Sequence, residues 1–355
     1  MTDSNAFSPN YITARERFRA ASSSLGYSHT AYPINQVSPK GEELTIDVAI
    51  SSAEKFKRVV VISSGLHGVE GFLGSAIQLI LLEKLKSIPL LPADTKLVLI
   101  HALNPYGFAW RRRWNENNID LNRNFLLSGK VFEGSPQDYS KFNSFLNPTS
   151  PPSLFEPYLI KAIWLIFRYG MTSLKNTLPV GQYDFPKGLF WGGHAPSKTQ
   201  EILATNLPLW INNAPEVMHI DFHTGLGAWG TYKLFPRASK SSDQLVKRFG
   251  ADAIQYLSSE SVSYEIRGGL GAWCQSLLPD SNYECLTAEF GTYSLIQVLK
   301  ALRAENRAYF WGKPHQNYEW TKHQLLEMFA PESPKWREQC LTQGIDICKQ
   351  ALMNE

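Results

Sequence analysis

Arg58-Val59-Val60-Val61-Ile62-Ser63-Ser64-Gly65-Leu66-His67-Gly68-Val69-Glu70-Gly71 passes from an unbroken β-branched run into a short polar and glycine-rich break. From Gly71 to Leu85 apolar residues then recur at helical spacing, at Phe72, Ile77, Ile80, Leu81 and Leu85. The stretch reads as a buried strand, a loop and a helix, with His67 and Glu70 on the loop that leaves the strand. Open α/β sheets place their chemistry at that end of a strand. A histidine and a glutamate three apart can both reach one divalent ion from such a turn, and imidazole nitrogen with carboxylate oxygen suits zinc. The same spacing also arises as a turn histidine beside a helix-start glutamate favoured by the helix dipole. The rest of the chain has to decide between these readings.

Working outward, Lys96 to Ala102 is a second apolar strand that runs into the turn Asn104-Pro105-Tyr106-Gly107. Upstream, Thr30 to Gln36 and Glu43 to Ser51 read as an antiparallel edge joined at Pro39-Lys40-Gly41, and residues 7 to 25 as a surface helix. Downstream, Glu216 to Phe222 is a strand that ends in His223-Thr224-Gly225. Tyr232 to Phe235 and Asn282 to Phe290 are further strands. Asp243 to Leu257, Ser294 to Phe310 and Pro334 to Leu352 carry helical patterns. This order predicts an α/β fold: a mixed, mostly parallel twisted sheet with helices on both faces, a three-layer sandwich within a single domain spanning residues 1–355.

Between Ser128 and Leu207 the alternation lapses into Pro, Ser, Gly and aromatic residues, the composition of a lid or binding loop. The exception is Leu154 to Tyr169, which is interrupted by Glu156, Pro157, Lys161 and Arg168 and falls short of a bilayer span of roughly 20 residues. It reads as a buried or partly buried helix. In Gly188-Leu189-Phe190-Trp191-Gly192-Gly193-His194 the glycines suit either backbone approach to a ligand or a tight, aromatic-anchored loop.

The chain has 355 residues, 43% hydrophobic and 19% charged, enough for a substantial core. A formal charge of +3 with no long basic run argues against a nucleic-acid partner. Cys274, Cys285, Cys340 and Cys348 have no Cys-x-x-Cys spacing, so reduced core thiols are expected. Met1 to Asn5 lacks the basic start of a secretory signal, which leads us to expect a cytoplasmic protein with no membrane partner. Composition says nothing of oligomeric state.

Five separated motifs, His67/Glu70, Arg113, Asn122/Arg123, His223 and Glu289, follow one another at strand ends. In order and spacing the set resembles the zinc-dependent metallocarboxypeptidase superfamily, the carboxypeptidase A-like enzymes, over about residues 45 to 310. The resemblance implies one zinc per chain, held by His67, Glu70 and His223 with a fourth position open. It implies that Asn122 and Arg123, in Asp120-Leu121-Asn122-Arg123-Asn124-Phe125, anchor a substrate carboxylate, which a guanidinium fork matches bidentately. Arg113, nine positions before Asn122, would stabilise the oxyanion, with Arg111 and Arg112 as rivals. Glu289, in Thr287-Ala288-Glu289-Phe290-Gly291, would be the general base, and Tyr264, four residues before a glycine pair, would close over the substrate. The pocket for the terminal side chain would follow at Leu270-Gly271-Ala272, without charge.

His219 and Asp221 share a strand face with His223 by period-two alternation. They offer a second metal position, although Asp221 more simply orients the histidine ligand. The implied activity is hydrolysis of an amide bond next to a carboxylate-bearing residue, on a peptide. The same residues also resemble an N-acyl amino acid deacylase of the aspartoacylase and succinylglutamate-desuccinylase type. A third reading is a metal-free, inactive carboxylate-binding protein.

Overall fold

The computed structural model describes residues 5–53, 55–170, 172–173, 177, 180–236, 242–256 and 266–353. Seven strands form one sheet: β1 (Ser28–Val37), β2 (Glu43–Ile50), β3 (Arg58–Ser64), β4 (Thr95–His101), β5 (Glu216–Gly225), β6 (Tyr232–Pro236) and β7 (Asn282–Gly291). Their order is β1-β2-β4-β3-β5-β7-β6. The four central strands, β4, β3, β5 and β7, run parallel; β2 pairs antiparallel with β4 and β1 antiparallel with β2 on one side, and β6 pairs antiparallel with β7 on the other. The mixed, mostly parallel α/β sheet expected from the sequence is therefore present.

β3 is buried along its whole length because helices cover both faces. Alternation divides its residues between two cores. Val60 and Ile62 meet Phe18, Leu73, Ile77 and Ile345, from the helices Tyr11–Ser23, Gly71–Ser87 and Pro334–Leu352. Val59 and Val61 meet Leu203, Leu207 and Trp273, from the helices Lys198–Ile211 and Leu270–Leu277. Each of the four is fully buried, and burial of such a side chain contributes about 1.5–3 kcal/mol. A one-residue slip would send each to the opposite core, so the register of this strand is firmly set.

The predicted boundaries of most elements agree with the structure to within two or three residues. The helix expected over Asp243–Leu257 is shorter, Ser242–Phe249, because Gly250 at φ 88° ends it. The irregular segment after Ser128 holds more helix than its composition suggests: Tyr139–Leu146 lies within it and Lys198–Ile211 begins within it. Helices at Leu270–Leu277 and Glu319–Phe329 were not anticipated either.

Leu154–Tyr169, expected as a buried or partly buried helix, is partly buried. The helix is Tyr158–Tyr169, and Tyr158, Ala162 and Leu165 alone are buried along it. These three join Tyr139, Phe142, Phe145, Leu299 and Leu302 in a third core. Most of the remaining face is apolar too, broken by Lys161 and Arg168, and it is exposed. With apolar residues on both the covered and the open side, the sequence alone does not tell which side packs on the body.

An ion cluster ties the same segment to the Leu295–Trp311 helix. Glu156 Oε1 accepts from Arg303 Nη2 at 3.1 Å and from Lys161 Nζ at 3.2 Å, and Glu156 Oε2 accepts from Arg307 Nη1. Although burial opposes it, Arg303 and Arg307 hold the Glu156 carboxyl at about 2, below its ordinary 4.5. A depressed folded-state pKa contributes stability that is fully present above the unfolded value and is lost as pH falls through the folded one. Wild-type stability should therefore decline between about pH 4.5 and pH 2 more steeply than that of Glu156→Gln, as read by urea midpoints. Parallel curves for the two proteins would show that this cluster does not couple folding to protons.

Candidate metal centre

β3 delivers His67 at its carboxyl end, and a single 3₁₀ turn, Gly68–Glu70, leads into the Gly71–Ser87 helix. The turn is fastened to the arginine run: Gly68 N–H donates to the Arg113 carbonyl at 3.1 Å and Val69 N–H to the Arg112 carbonyl at 2.8 Å. Glycine is required at position 68, where a Cβ would lie 2.1 Å from the Gly107 backbone carbon. β5 lies beside β3 in parallel register and brings His223 to the same end of the sheet. The ligand atoms of His67, Glu70 and His223 all lie within 4.8 Å of one another, and all three residues are buried.

Glu70 bridges the two rings. His67 Nδ1 lies 2.8 Å from Glu70 Oε1 and His223 Nδ1 lies 3.0 Å from Oε2, which also accepts from Thr224 N–H at 3.1 Å. Behind each ring stands an aspartate: Asp120 Oδ1 is 3.1 Å from His67 Nε2, and Asp221 Oδ2 is 2.6 Å from His223 Nε2. Asp221 behind the His223 ring holds its proton on Nε2 and leaves the Nδ1 lone pair for a metal, while His67 Nε2 lies between Asp120 and the donor-only Arg113 guanidinium. Asp120 had no assigned role in the sequence, although it stands two positions before Asn122.

The electrostatics suit a cation. Burial opposes ionisation of Glu70, but His67 and His223 hold its carboxyl well below the usual range. Burial likewise opposes charge on Asp120, which Arg113 and His67 hold far down, and on Asp221, which His223 lowers. Against burial, Asp221 and Glu70 push His223 well above its ordinary value, so the cluster draws in positive charge. Arg113 pairs with two of the three carboxylates and Arg123 also acts on Asp120, which still leaves net negative charge for the rings or a divalent ion to offset. The donor set and the charge balance both fit zinc.

Arg113 sits at this cluster, with Nε 3.0 Å from Asp120 Oδ2, Nη1 3.1 Å from Glu70 Oε1 and Nη2 2.8 Å from His67 Nε2. Its two rivals do other things. Arg111 pairs with Glu319 near the surface, and Arg112, fully buried, pairs with Glu305 at 2.8 Å and lies over the Tyr309 ring. Glu289 is the direct register partner of His223 across β5 and β7, so the two side chains share a face. Its Oε1 accepts from Leu226 N–H at 2.8 Å. Burial, reinforced by the charge of Glu70, raises its carboxyl to about 7.

Arg123 is buried, and among the described residues its side chain hydrogen-bonds only to the Asn122 carbonyl, at 2.9 Å. Its buried Nε has no partner among the described residues. Asn122 Oδ1 accepts from Leu270 N–H at 3.1 Å, which fixes the start of the Leu270–Leu277 helix. The Gly188–His194 loop is of the anchored kind: Asn124 donates to the Gly192 carbonyl at 2.8 Å, and a Cβ at Gly192 would strike Tyr183. Tyr264 lies outside the described residues.

His219 stands one step deeper than the cluster. Its Nε2 is 2.7 Å from Ser63 Oγ and its Nδ1 is 2.7 Å from the Tyr283 hydroxyl, while burial lowers its pKa to about 4. Ser63 donates in turn to Asp221 Oδ1 at 2.6 Å. Asp221 thus supports a ring, and His219 supports Asp221. Asp221→Asn, which keeps the volume but can present an N–H to His223, should weaken Zn²⁺ affinity about 10–100-fold in chelator competition. Unchanged affinity would detach Asp221 from the centre.

Solved structures similar to this chain include carboxypeptidase A from Helicoverpa armigera, at 13% identity over 92% of this chain and 74% of that one, with a TM-score of 0.49. Murein-tripeptide amidase MpaA from Escherichia coli O157 is another, at 20% identity over 84% of this chain and 98% of that one, with a TM-score of 0.40. No curated protein matches the sequence. The family model described as "Protein of unknown function (DUF2817)" matches residues 7–343, nearly the whole length, and the chain belongs to that family.

Proposed function

We propose that this protein is a zinc-dependent hydrolase that cleaves an amide bond next to a carboxylate-bearing residue, in the manner of a metallocarboxypeptidase. The observation that carries this reading is the gathering, at one end of the sheet, of the His67/Glu70/His223 cluster and the raised carboxyl of Glu289. His67, Glu70 and His223 would hold the ion. Bound there, zinc would supply Lewis acidity, polarising a carbonyl and acidifying a water.

The remaining work falls to the chain's own groups. Glu289, with a pKa raised towards neutrality, takes a proton from the attacking water and passes it to the amine nitrogen as the C–N bond breaks. Arg113 engages Asp120, Glu70 and His67, yet a guanidinium has more N–H donors than these contacts use, and the remainder serve the developing oxyanion. The buried Arg123 guanidinium, with its unpartnered Nε, is suited to a substrate carboxylate, and Asn122 beside it aids orientation.

The purified protein should contain one zinc per chain. His67→Ala should lose both the metal and turnover on a panel of short peptides and N-acyl amino acids. Absence of metal together with no activity on added zinc would overturn the reading, and the panel separates peptidase from deacylase. Glu289→Gln should keep its zinc and lose at least about 100-fold in kcat, the scale of general-base catalysis. Arg123→Ala should raise KM for free-carboxylate substrates far more than for amidated ones, and equal effects on both would remove Arg123 from the anchor.

A further inference from the structure

The Tyr158–Tyr169 helix buries one stripe and leaves a broad apolar arc of its circumference open. Phe155, just before it, and Leu159, Ile160, Ile163, Trp164 and Phe167 are between 58% and 95% exposed. Single exposed apolar side chains are ordinary, but a contiguous run on one helix is the mark of a surface that something else covers. With 12 residues the helix is too short to span a bilayer, and no helix among the described residues is long and apolar enough to cross a membrane.

The surrounding charge indicates what covers it. Lys161 and Arg168 project from the helix itself, and Lys300, Arg303 and Arg307 stand behind it on the Leu295–Trp311 helix, lining a cavity of about 80 Å³ together with Leu154, Glu156 and Tyr158. Between residues 139 and 183 Glu156 is the sole acidic residue, and it is already shared by Lys161, Arg303 and Arg307. Three exposed cations, Lys161, Arg168 and Lys300, therefore border the patch, while the single carboxylate is held by the buried Arg303 and Arg307 as well as by Lys161. Symmetric pairing with a second copy would bring Lys161, Arg168 and Lys300 towards their own images. An anionic lipid surface has the complementary sign. Its headgroup boundary also accepts Trp and Phe beside Lys and Arg.

We infer that this face docks on the surface of an anionic bilayer, with the Tyr158–Tyr169 helix lying in the plane of the interface. Phe155, Ile163, Trp164 and Phe167 enter the boundary between headgroups and acyl chains, while Lys161, Arg168 and Lys300 meet lipid phosphates. The contact is peripheral and reversible, and it does not depend on the chemistry of the metal centre.

The test is co-sedimentation of the full-length protein with vesicles of phosphatidylcholine alone or mixed with phosphatidylglycerol. Binding should be on the order of tenfold or more tighter to the anionic vesicles and should weaken with added salt. The double variant Ile163→Glu/Phe167→Glu, altered only at exposed positions, should retain the wild-type circular dichroism and lose binding. Arg168→Glu/Lys300→Glu should lose the preference for phosphatidylglycerol. No binding by the wild type, or equal binding by the apolar double variant, would overturn the inference. So would a lipid-free dimer in sedimentation velocity that Phe167→Glu dissolves, because the face would then belong to a second copy.

Discussion

Burying Glu70, Asp120 and Asp221 around two imidazoles creates a charge imbalance that Arg113 alone does not cancel, and much of the molecule is arranged to contain it. The cost of holding such groups out of water is tolerable only where each is paired and hydrogen-bonded. The pairing is drawn from the loop after β3, the run from Arg113 to Asp120 and the end of β5, and Glu289 at the end of β7 shares the face of His223. The three parallel strands β3, β5 and β7 align these segments without strain, because parallel register brings the carboxyl ends of neighbouring strands to one edge. The fold and the site therefore have a common cause.

Much of this was legible in the sequence because it rested on strong local signals. The β-branched run Val59–Ile62 has one plausible structure, and a histidine or glutamate at the end of such a strand has one place to go. Arg112, Arg113 and Arg111 were harder. Nothing local separates three consecutive arginines, and it is Glu305, Asp120 and Glu319, far away in two cases, that divide their roles. Asp120 was missed because an aspartate ahead of a loop asparagine has an ordinary capping explanation. Ser63 and Tyr283 were invisible for another reason: they act on His219, two contacts from the centre, and sequence spacing carries no trace of such a chain.

The segment after Ser128 was read least well. Its helices Tyr139–Leu146 and Tyr158–Tyr169 bury their inward faces against partners drawn from the Leu295–Trp311 and Glu319–Phe329 helices, so those faces depend on tertiary packing. Two buried arginines on one of those helices, Arg303 and Arg307, fasten the segment through Glu156, and an apolar stripe fills in around that polar rivet. Here the electrostatic contact fixes position and the hydrophobic contact supplies the area, the reverse of their roles in the central sheet.

The pairing of His223 with Glu289 across β5 and β7 constrains how the gene can change. Substitutions in β7 are tested one side chain at a time, but a single codon inserted between Asn282 and Ala288 shifts everything after it. The ladder of backbone hydrogen bonds could re-form around such an insertion, since a sheet is indifferent to which residue supplies each N–H. Ala288 would then stand opposite His223, and the carboxylate would turn to the other face of the sheet. Length variation in this lineage should accordingly gather in the loops beyond the strand ends, and β7 should keep its residue count even where its residues drift.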